Sequence, residues 1–508
     1  MTKFYNFKRL SALLFVTVIL TALLAACGDP TATTAPAVAT TASATTASGT
    51  TTAVATTTAT SATTAAATGS GVTINVAGTD VAIKPGGGKI FNPTSPITIT
   101  IWSSQRGTNH QALLKLADDF KATHSNITIK FDNNNETFSY GDILKKLQAA
   151  ATAGGLPNLA TGYENWVPGF VDSKTILGFN QYISGEYGLT QEQLSDIQPA
   201  FLARGIFPQY SNETYLFPFG NSTPVLYYNK DLLEKNSIAV PQTWDDLVKA
   251  SQTISKQTSN ATVGLVFNPK TVSEFVAGMY SQGCKVYDYA SKTWFFTDPT
   301  CAKQVQLYYD GVKNGYFAAS DPTKQNDDQA IFEQQKALFY ISSTSSRSFI
   351  DSDIAAGKNG AKVFNWNATV LPHAAEVKTP VSTLYGGGVL AFKGKTADED
   401  LATWEVAKFL ASTAFTAKWA ASSGYAPATK SALNEQVFKD FLAKNPHNGI
   451  PVETIKYATT SEPKLGYWQN IRDEFDNDVF ALFQDQSGAV TVDSTLKKIQ
   501  GVAAGLSK

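Results

Sequence analysis

Charge of one sign is what this 508-residue chain lacks: 41 Lys and Arg stand against 42 Asp and Glu, a net charge of -1. Without a basic surplus there is no electrostatic footprint of a nucleic-acid binder, and none is expected as a partner. Histidine is scarce. His110, His124, His373 and His447 are scattered, with no HExxH or comparable spacing, so no metal site is predicted. No GxxxxGK[ST] loop, no GxGxxG after a strand and no GxSxG elbow occurs, which leaves the chain without the signatures of a P-loop, a dinucleotide site or a nucleophile elbow. No cofactor is implied. A carboxylate pair of the kind used in glycoside hydrolysis stays open, because the separation of two carboxylates is a three-dimensional fact. No fixed-period repeat is visible.

Cysteine is nearly absent too, with three in the chain. Cys27 closes an unusual N-terminal region. Lys3, Lys8 and Arg9 precede an apolar run from Leu10 to Ala26, the charged and apolar regions of a secretory signal. The tetrad Leu24-Ala25-Ala26-Cys27 resembles the lipobox of bacterial lipoproteins, which implies cleavage after residue 26 and a lipid on Cys27. From Thr31 to Ser70 the chain is mostly Thr and Ala, and no charge occurs from Pro30 to Thr79. Such a segment buries no core and is expected to be a tether, its ends roughly 35 Å apart as a flexible coil. The reading is a signal peptide over 1–26 and a lipid-anchored tether over 27–96, with the Gly86-Gly87-Gly88 stretch ambiguous. The body is then held at the extracytoplasmic face of a membrane. Cys284 and Cys301 form an even pair that an oxidising compartment favours joining.

With 43% hydrophobic and 11% aromatic residues, the remainder is an ordinary globular composition, long enough for two or three units. "ITITIW" alternates Ile97, Ile99 and Ile101 inward as a half-buried strand does, and the folded body is expected to start there. "NHQALLKLADDFKATH" places Leu113, Leu116, Ala117 and Phe120 on one helical face, and "ITIKF" follows as a strand, completing a βαβ unit. Thr243 is the expected N-cap of "WDDLVKASQTISK". "EDLATWEVAKFLASTAFTAKWAASSG" reads as one long helix ended by Gly424. In "YLFPFGNSTPVLYYNKDLL" aromatic residues surround a small polar knot, Gly220-Asn221-Ser222-Thr223, closed by Pro224. That is either a buried strand with a turn or the wall of a ligand cleft.

Taken in order, these segments resemble the extracellular solute-binding proteins of ABC importers, family 1, over about residues 97–500. "GGLPNLATGYENW", "FPFGNSTPVLYYNKDLLEKN", "IFEQQKALFYISS" and "WEVAKFLASTAFTAKWAASSGYAPATK" carry the likeness. Asn158 stands where the family often has Asp, and Gln335 where it often has Gly. The resemblance implies a two-lobe, periplasmic-binding-protein-like α/β fold with a hinge and a central ligand cleft: lobe 1 over 97–222, lobe 2 over 223–380, a return to lobe 1 over 381–425 and to lobe 2 over 426–508. It implies a monomeric, non-catalytic carrier that hands a small molecule to ABC permease subunits served by a separate ATPase. A secreted glycosidase is the rival of another class.

The wording "PFxxSTPVLYYNKD" is nearest to glycerol-3-phosphate-binding members of the family. Their ligand contacts fall on Tyr140, Glu164, Ser222, Ser342, Gly387, Tyr425 and Arg472, with the serine run at 342 leaving its register open by one. A glycerol 3-phosphate or glycerophosphodiester ligand follows, gripped by Arg472. Phe267 departs from this pattern, since a Trp is expected there. Trp468, one turn before Arg472, falls where sugar-binding relatives place a stacking aromatic. A mono- or oligosaccharide therefore remains the alternative ligand.

Overall fold

The computed structural model describes residues 71–76, 78–132 and 139–507. The signal segment, the lipidation residue Cys27 and the tether as far as residue 70 lie outside the described residues. Strands β1 (Val72–Val76) and β2 (Thr79–Ile83) pair as an antiparallel hairpin. Ile74, Val76, Val81 and Ile83 all point inward and join a core that includes Leu194 and Leu202. This corrects the tether boundary: the body begins some 25 residues before Ile97 rather than at it. Local alternation of Val and Ile makes the hairpin, and the apolar face of lobe 1 holds it. The three glycines that follow are explained by close approach. Gly86 N–H donates to Leu189 O at 2.6 Å, and a Cβ on Gly86 would lie 2.5 Å from the carbonyl oxygens of Ile183 and Gly185.

Lobe 1 is built on β3 (Ile97–Trp102), α1 (Gly107–Lys121), β4 (Ile127–Phe131), α2 (Tyr140–Ala153) and β5 (Leu159–Gly162). Ile99 and Ile101 are buried as the alternation predicts, each stabilising the core by about 1.5–3 kcal/mol. Asn158, in place of the acid frequent in the family, ties the interior strand β3 to a later helix. Its Oδ1 accepts from Thr100 N–H at 2.9 Å and its amide donates to Glu399 at 2.7 Å. Helix α3 (Pro199–Gly205) precedes the first crossing.

Lobe 2 comprises β6 (Pro224–Asn229), β7 (Val263–Phe267), α4 (Val272–Ser281), β8 (Phe317–Ala319), α5 (Asp327–Glu333), β9 (Ala337–Ser343) and β10 (Trp366–Val370). Thr243 caps its helix reciprocally with Asp246. Gln335 has φ 60°, the left-handed turn for which the family's glycine is suited. Cys284 and Cys301 are joined as a disulfide, with Cα atoms 5.0 Å apart. The sheet order is β8-β7-β9-β6-β10, parallel except for β6.

The chain then returns to lobe 1 as β11 (Gly388–Ala391), which completes a sheet ordered β11-β5-β3-β4, parallel except for β11. Each sheet thus carries one antiparallel strand, and that strand is the one entered from a crossing. The expected single long helix is two, α6 (Ala397–Leu410) and α7 (Thr413–Ser423), because Ser412 breaks the first and caps the second by accepting from Phe415 N–H. Gly424 ends α7 with φ 79°. The stretch from 426 does not belong wholly to lobe 2. Ala432 and Phe438 pack on Ala417 and Ala420 of α7, while Asn448 bonds Arg347 of lobe 2 at 2.9 Å. Helices α8 (Trp468–Gln484) and α9 (Val492–Leu506) close lobe 2. Among the described residues no helix is long and apolar enough to cross a membrane.

Candidate ligand site between the lobes

Three chain segments cross side by side between the sheets, and the polar knot binds them together. Ser222 exchanges backbone hydrogen bonds with Tyr385, Ala426 N–H donates to Asn221 O at 2.7 Å, and the Thr223 hydroxyl donates to Ser382 at 2.9 Å. Asn221, Ser222 and Thr223 are all buried. A buried crossing without regular strands must satisfy its backbone groups locally, and short polar side chains with exposed backbone do so. The aromatic residues on either side pack into the lobes: Phe217 and Phe219 into lobe 1, Tyr227 into lobe 2. The knot is therefore a hinge element as well as part of a wall.

Beside it lies a cavity of about 430 Å³. Tyr140, Gln105 and Tyr425 face it from lobe 1 and the return segment, Ser222 and Tyr385 from the crossings, and Glu274, Asp328 and Ser342 from lobe 2. Tyr140 is placed by α2, whose N-cap Ser139 forms a reciprocal box with Asp142. Its ring lies 4.4 Å from that of Tyr163, and its hydroxyl is buried. Burial raises its pKa well above the ordinary tyrosine value, so it offers a neutral O–H. The Tyr425 hydroxyl accepts from Gln105 at 3.2 Å, and its ring stacks on Trp419. Ser342 and Ser346 share a hydrogen bond of 3.0 Å, while Ser343, one residue on, donates to Ser222. Both Ser342 and Ser343 reach the cavity, so the open register of the serine run is immaterial to its wall.

A smaller cavity of about 140 Å³ adjoins it, sharing Tyr163, Thr271 and Tyr385. Two ion pairs line it, the first buried and the second half-buried. Glu164 Oε2 accepts from Arg204 Nε at 2.8 Å and Nη2 at 2.6 Å. Arg472 pairs with Glu462 and donates to Ser273 at 2.7 Å. Burial opposes both charges of the second pair, and their mutual attraction outweighs it. The Arg472 pKa therefore lies above its ordinary value and that of Glu462 below. Asp476, one turn beyond Arg472, accepts from Val272 N–H, and burial pushes its carboxyl up to about 7.

Two of the predicted contacts sit elsewhere. Gly387 lies behind the wall: a Cβ there would meet the Tyr140 hydroxyl at 2.7 Å, and it is Gly386, at φ 81°, that faces the cavity. Trp468 lines neither cavity. It is fully buried, stacked 5.4 Å from Trp294, and its indole N–H donates to Glu462 at 2.6 Å. One turn of helix before Arg472, the indole is held by the apolar core, because lobe 2 supplies Trp294 and Phe296 as ring partners. Phe267 is likewise a core residue, against Tyr308. Sequence reasoning missed Arg204, Glu274, Asp328, Tyr385 and Glu462. Tyr385 stands immediately before Gly386-Gly387-Gly388, glycines that permit close backbone approach. The other four have no local signal, since which side chains face the cleft is set by how the elements of the lobes pack and not by residue spacing. Among the described residues no group of three metal-ligating side chains occurs.

Two lobes, three crossings and a cleft lined by polar groups define a ligand carrier of the kind that closes about a hinge. The family model for bacterial extracellular solute-binding proteins matches residues 115–449, and the chain belongs to that family. It is a solute-binding protein of an ABC importer, a class that binds a small molecule and works with a permease. Among curated proteins, the sn-glycerol-3-phosphate-binding periplasmic protein UgpB of Yersinia enterocolitica is 25% identical over 398 residues, 75% of this chain and 84% of that one. Among solved structures, UgpB from Mycobacterium tuberculosis in complex with glycerophosphocholine superposes with a TM-score of 0.67 at 19% identity, covering 82% of this chain and 98% of that one. The GacH receptor of Streptomyces glaucescens, solved unliganded and with acarbose, matches with a TM-score of 0.67 at 18% identity, over 82% and 99% of the two chains. These two likenesses show the two-lobe fold.

Proposed function

We propose that this protein captures a glycerophosphodiester between its lobes and delivers it to an ABC permease energised by a separate ATPase. The observation that carries the reading is Arg472, held at the wall of the smaller cavity by Glu462 and Ser273. A planar guanidinium can keep one carboxylate and still present N–H groups to a phosphate oxygen. Glu164 and the neutral hydroxyls of Tyr140 and Tyr425 suit a glycerol moiety. The diester is favoured over glycerol 3-phosphate itself by charge. Both arginines of the smaller cavity already face a carboxylate, and Asp328 adds negative potential in the larger one, so a monoanion is accommodated at lower cost than a dianion. The cavity of about 430 Å³ leaves room for a headgroup.

A neutral mono- or oligosaccharide is the second reading, favoured by the same pairing of both arginines and supported by the fold's likeness to an acarbose-binding receptor. Thermal-shift and calorimetric titration with glycerol 3-phosphate, glycerophosphocholine and maltose separates the readings. A ligand at 100 times its Kd adds about 2.7 kcal/mol of stability. Arg472→Ala then costs the diester about 2–5 kcal/mol, roughly 30-fold to several-thousand-fold in Kd. Maltose binding with no response to either phosphate ester would leave the sugar reading standing. Turnover of a glycoside or diester by substoichiometric protein would replace the carrier with an enzyme. We propose also that a lipid on Cys27 holds the protein at the extracytoplasmic face. Cys27→Ser should appear in the medium or wash, and its retention in the membrane fraction after confirmed cleavage overturns the anchor.

A further inference from the structure

The lobe 2 wall of the larger cavity holds a carboxylate that the reading above leaves unused. Glu274, in the first turn of α4, is 6% exposed and faces the cavity, and its Oε2 finds no hydrogen-bond partner among the described residues. A buried, unmatched carboxyl oxygen is costly, and it sits at the cleft rather than in the core. Asp328 on α5 is 8% exposed and lines the same cavity, as do the rings of Tyr340 and Tyr385. Among the described residues neither acid has an ion-pair partner, whereas Glu164 and Glu462 in the smaller cavity each hold an arginine. Two unpaired carboxylates flanked by aromatic rings are the surroundings in which an ammonium group is stable: the carboxylates supply charge and the rings their negative faces.

We propose that Glu274, Asp328, Tyr340 and Tyr385 form a subsite for a cationic headgroup, a quaternary or primary ammonium, carried by the captured diester. This rests on the diester reading, with the phosphate toward Arg472 and the headgroup toward α4 and α5. It makes Glu274 a specificity-determining residue that separates cationic diesters from those with neutral headgroups. It also links capture to proton release. In the cleft alone, burial and the charges of Asp328 on α5 and Asp476 on α8 hold the Glu274 carboxyl well above its usual range. The other titratable groups facing it are the phenols of Tyr308, Tyr340 and Tyr385 from the neighbouring elements, all neutral. An ammonium in contact favours the ionised form, so a proton leaves as the cation binds, and affinity for the cationic ligand rises with pH.

The test is calorimetric titration of the full chain with glycerophosphocholine, glycerophosphoethanolamine and glycerophosphoglycerol, in two buffers of different ionisation enthalpy. The two cationic diesters should bind at least about tenfold more tightly than the glycerol diester, and their binding heat alone should depend on the buffer. In Glu274→Gln that ratio should collapse toward one and the buffer dependence disappear. Asp328→Asn provides a second variant in which the ratio should fall, with the unfolding transition of each variant recorded beside it. Equal binding of all three diesters by the wild type, or a ratio unchanged in both variants, overturns the subsite and leaves the diester reading intact. Failure of every diester to bind overturns the ligand class and the subsite with it.

Discussion

Truncating Trp468 distinguishes a core indole from a ligand-stacking one. The ring is fully buried and stacks on Trp294 with planes 10° apart, within the core of lobe 2. Removing a buried Trp side chain to Ala typically costs about 3–5 kcal/mol. The indole N–H also donates to the Glu462 carboxylate at 2.6 Å, a charge-assisted bond whose loss adds roughly 1.5–3 kcal/mol when counted alone. The two losses share one side chain and do not add fully, so Trp468→Ala should lower unfolding free energy by about 4–6 kcal/mol. Trp468→Phe keeps most of the packing and loses the bond, and should lie near the lower figure of that second range. Ligand affinity should change less than about tenfold in either variant, because the indole reaches the site only through Glu462 and Arg472. Denaturant titration followed by calorimetry on the folded protein reads both quantities. Wild-type stability with a hundredfold loss of sugar affinity would falsify the placement of Trp468 in the core and restore it as a stacking platform.

Glu164→Gln leaves the buried Arg204 guanidinium without its carboxylate and should cost about 3–5 kcal/mol in denaturant unfolding; a change under 1 kcal/mol would mean that Arg204 reaches water. Burial pushes Asp476 up to about 7 and Asp328 up to about 6, both above the unfolded carboxyl value, so the unfolded chain gives up these protons first. Stability should therefore decline as pH rises from about 4 to about 7. The Asp476 share is roughly 3–4 kcal/mol, and Asp476→Asn, which keeps an acceptor for Val272 N–H, should flatten the profile. An identical pH profile in that variant contradicts the burial argument. Replacing Cys284 and Cys301, 17 residues apart, by Ser should lower the unfolding free energy by about 3 kcal/mol, read as a lower denaturant midpoint; an unchanged midpoint means that the bridge does not constrain the unfolded chain.

Much of the frame was legible because it is written in short-range periodicity. The alternation of Ile97, Ile99 and Ile101, the Thr243 cap and the Gly424 terminus each depend on residues within a turn or a strand of one another, and each stands as read. The polar knot at Ser222 was legible as an oddity, and four of the predicted contacts, Tyr140, Ser222, Ser342 and Tyr425, do line one cavity. The hairpin at Val72–Ile83 was missed because five-residue alternation next to a Thr and Ala tract carries little weight until lobe 1 is there to cover it. The division of the long helix at Ser412 was missed because a serine is tolerated inside a helix and caps one equally well.

The sequence by itself determined an α/β fold and many of its local elements, while the two-lobe division and the crossing at the polar knot came from its resemblance to the solute-binding family. The local elements follow from residue type and spacing along a few turns of chain, where propensity and burial act locally. Only the tertiary structure decided which charges are matched. Glu164 meets Arg204 across 40 residues, Arg472 meets Glu462 across 10, and Trp468 meets Trp294 instead of the cleft. Among the described residues Glu274 meets no cation, though it stands in a helix whose residues read like any other. A charge's partner, and hence its cost and its use, is set by what the fold brings within a few ångströms, where Coulomb energy at low dielectric reaches several kcal/mol. That distance has no counterpart in residue spacing.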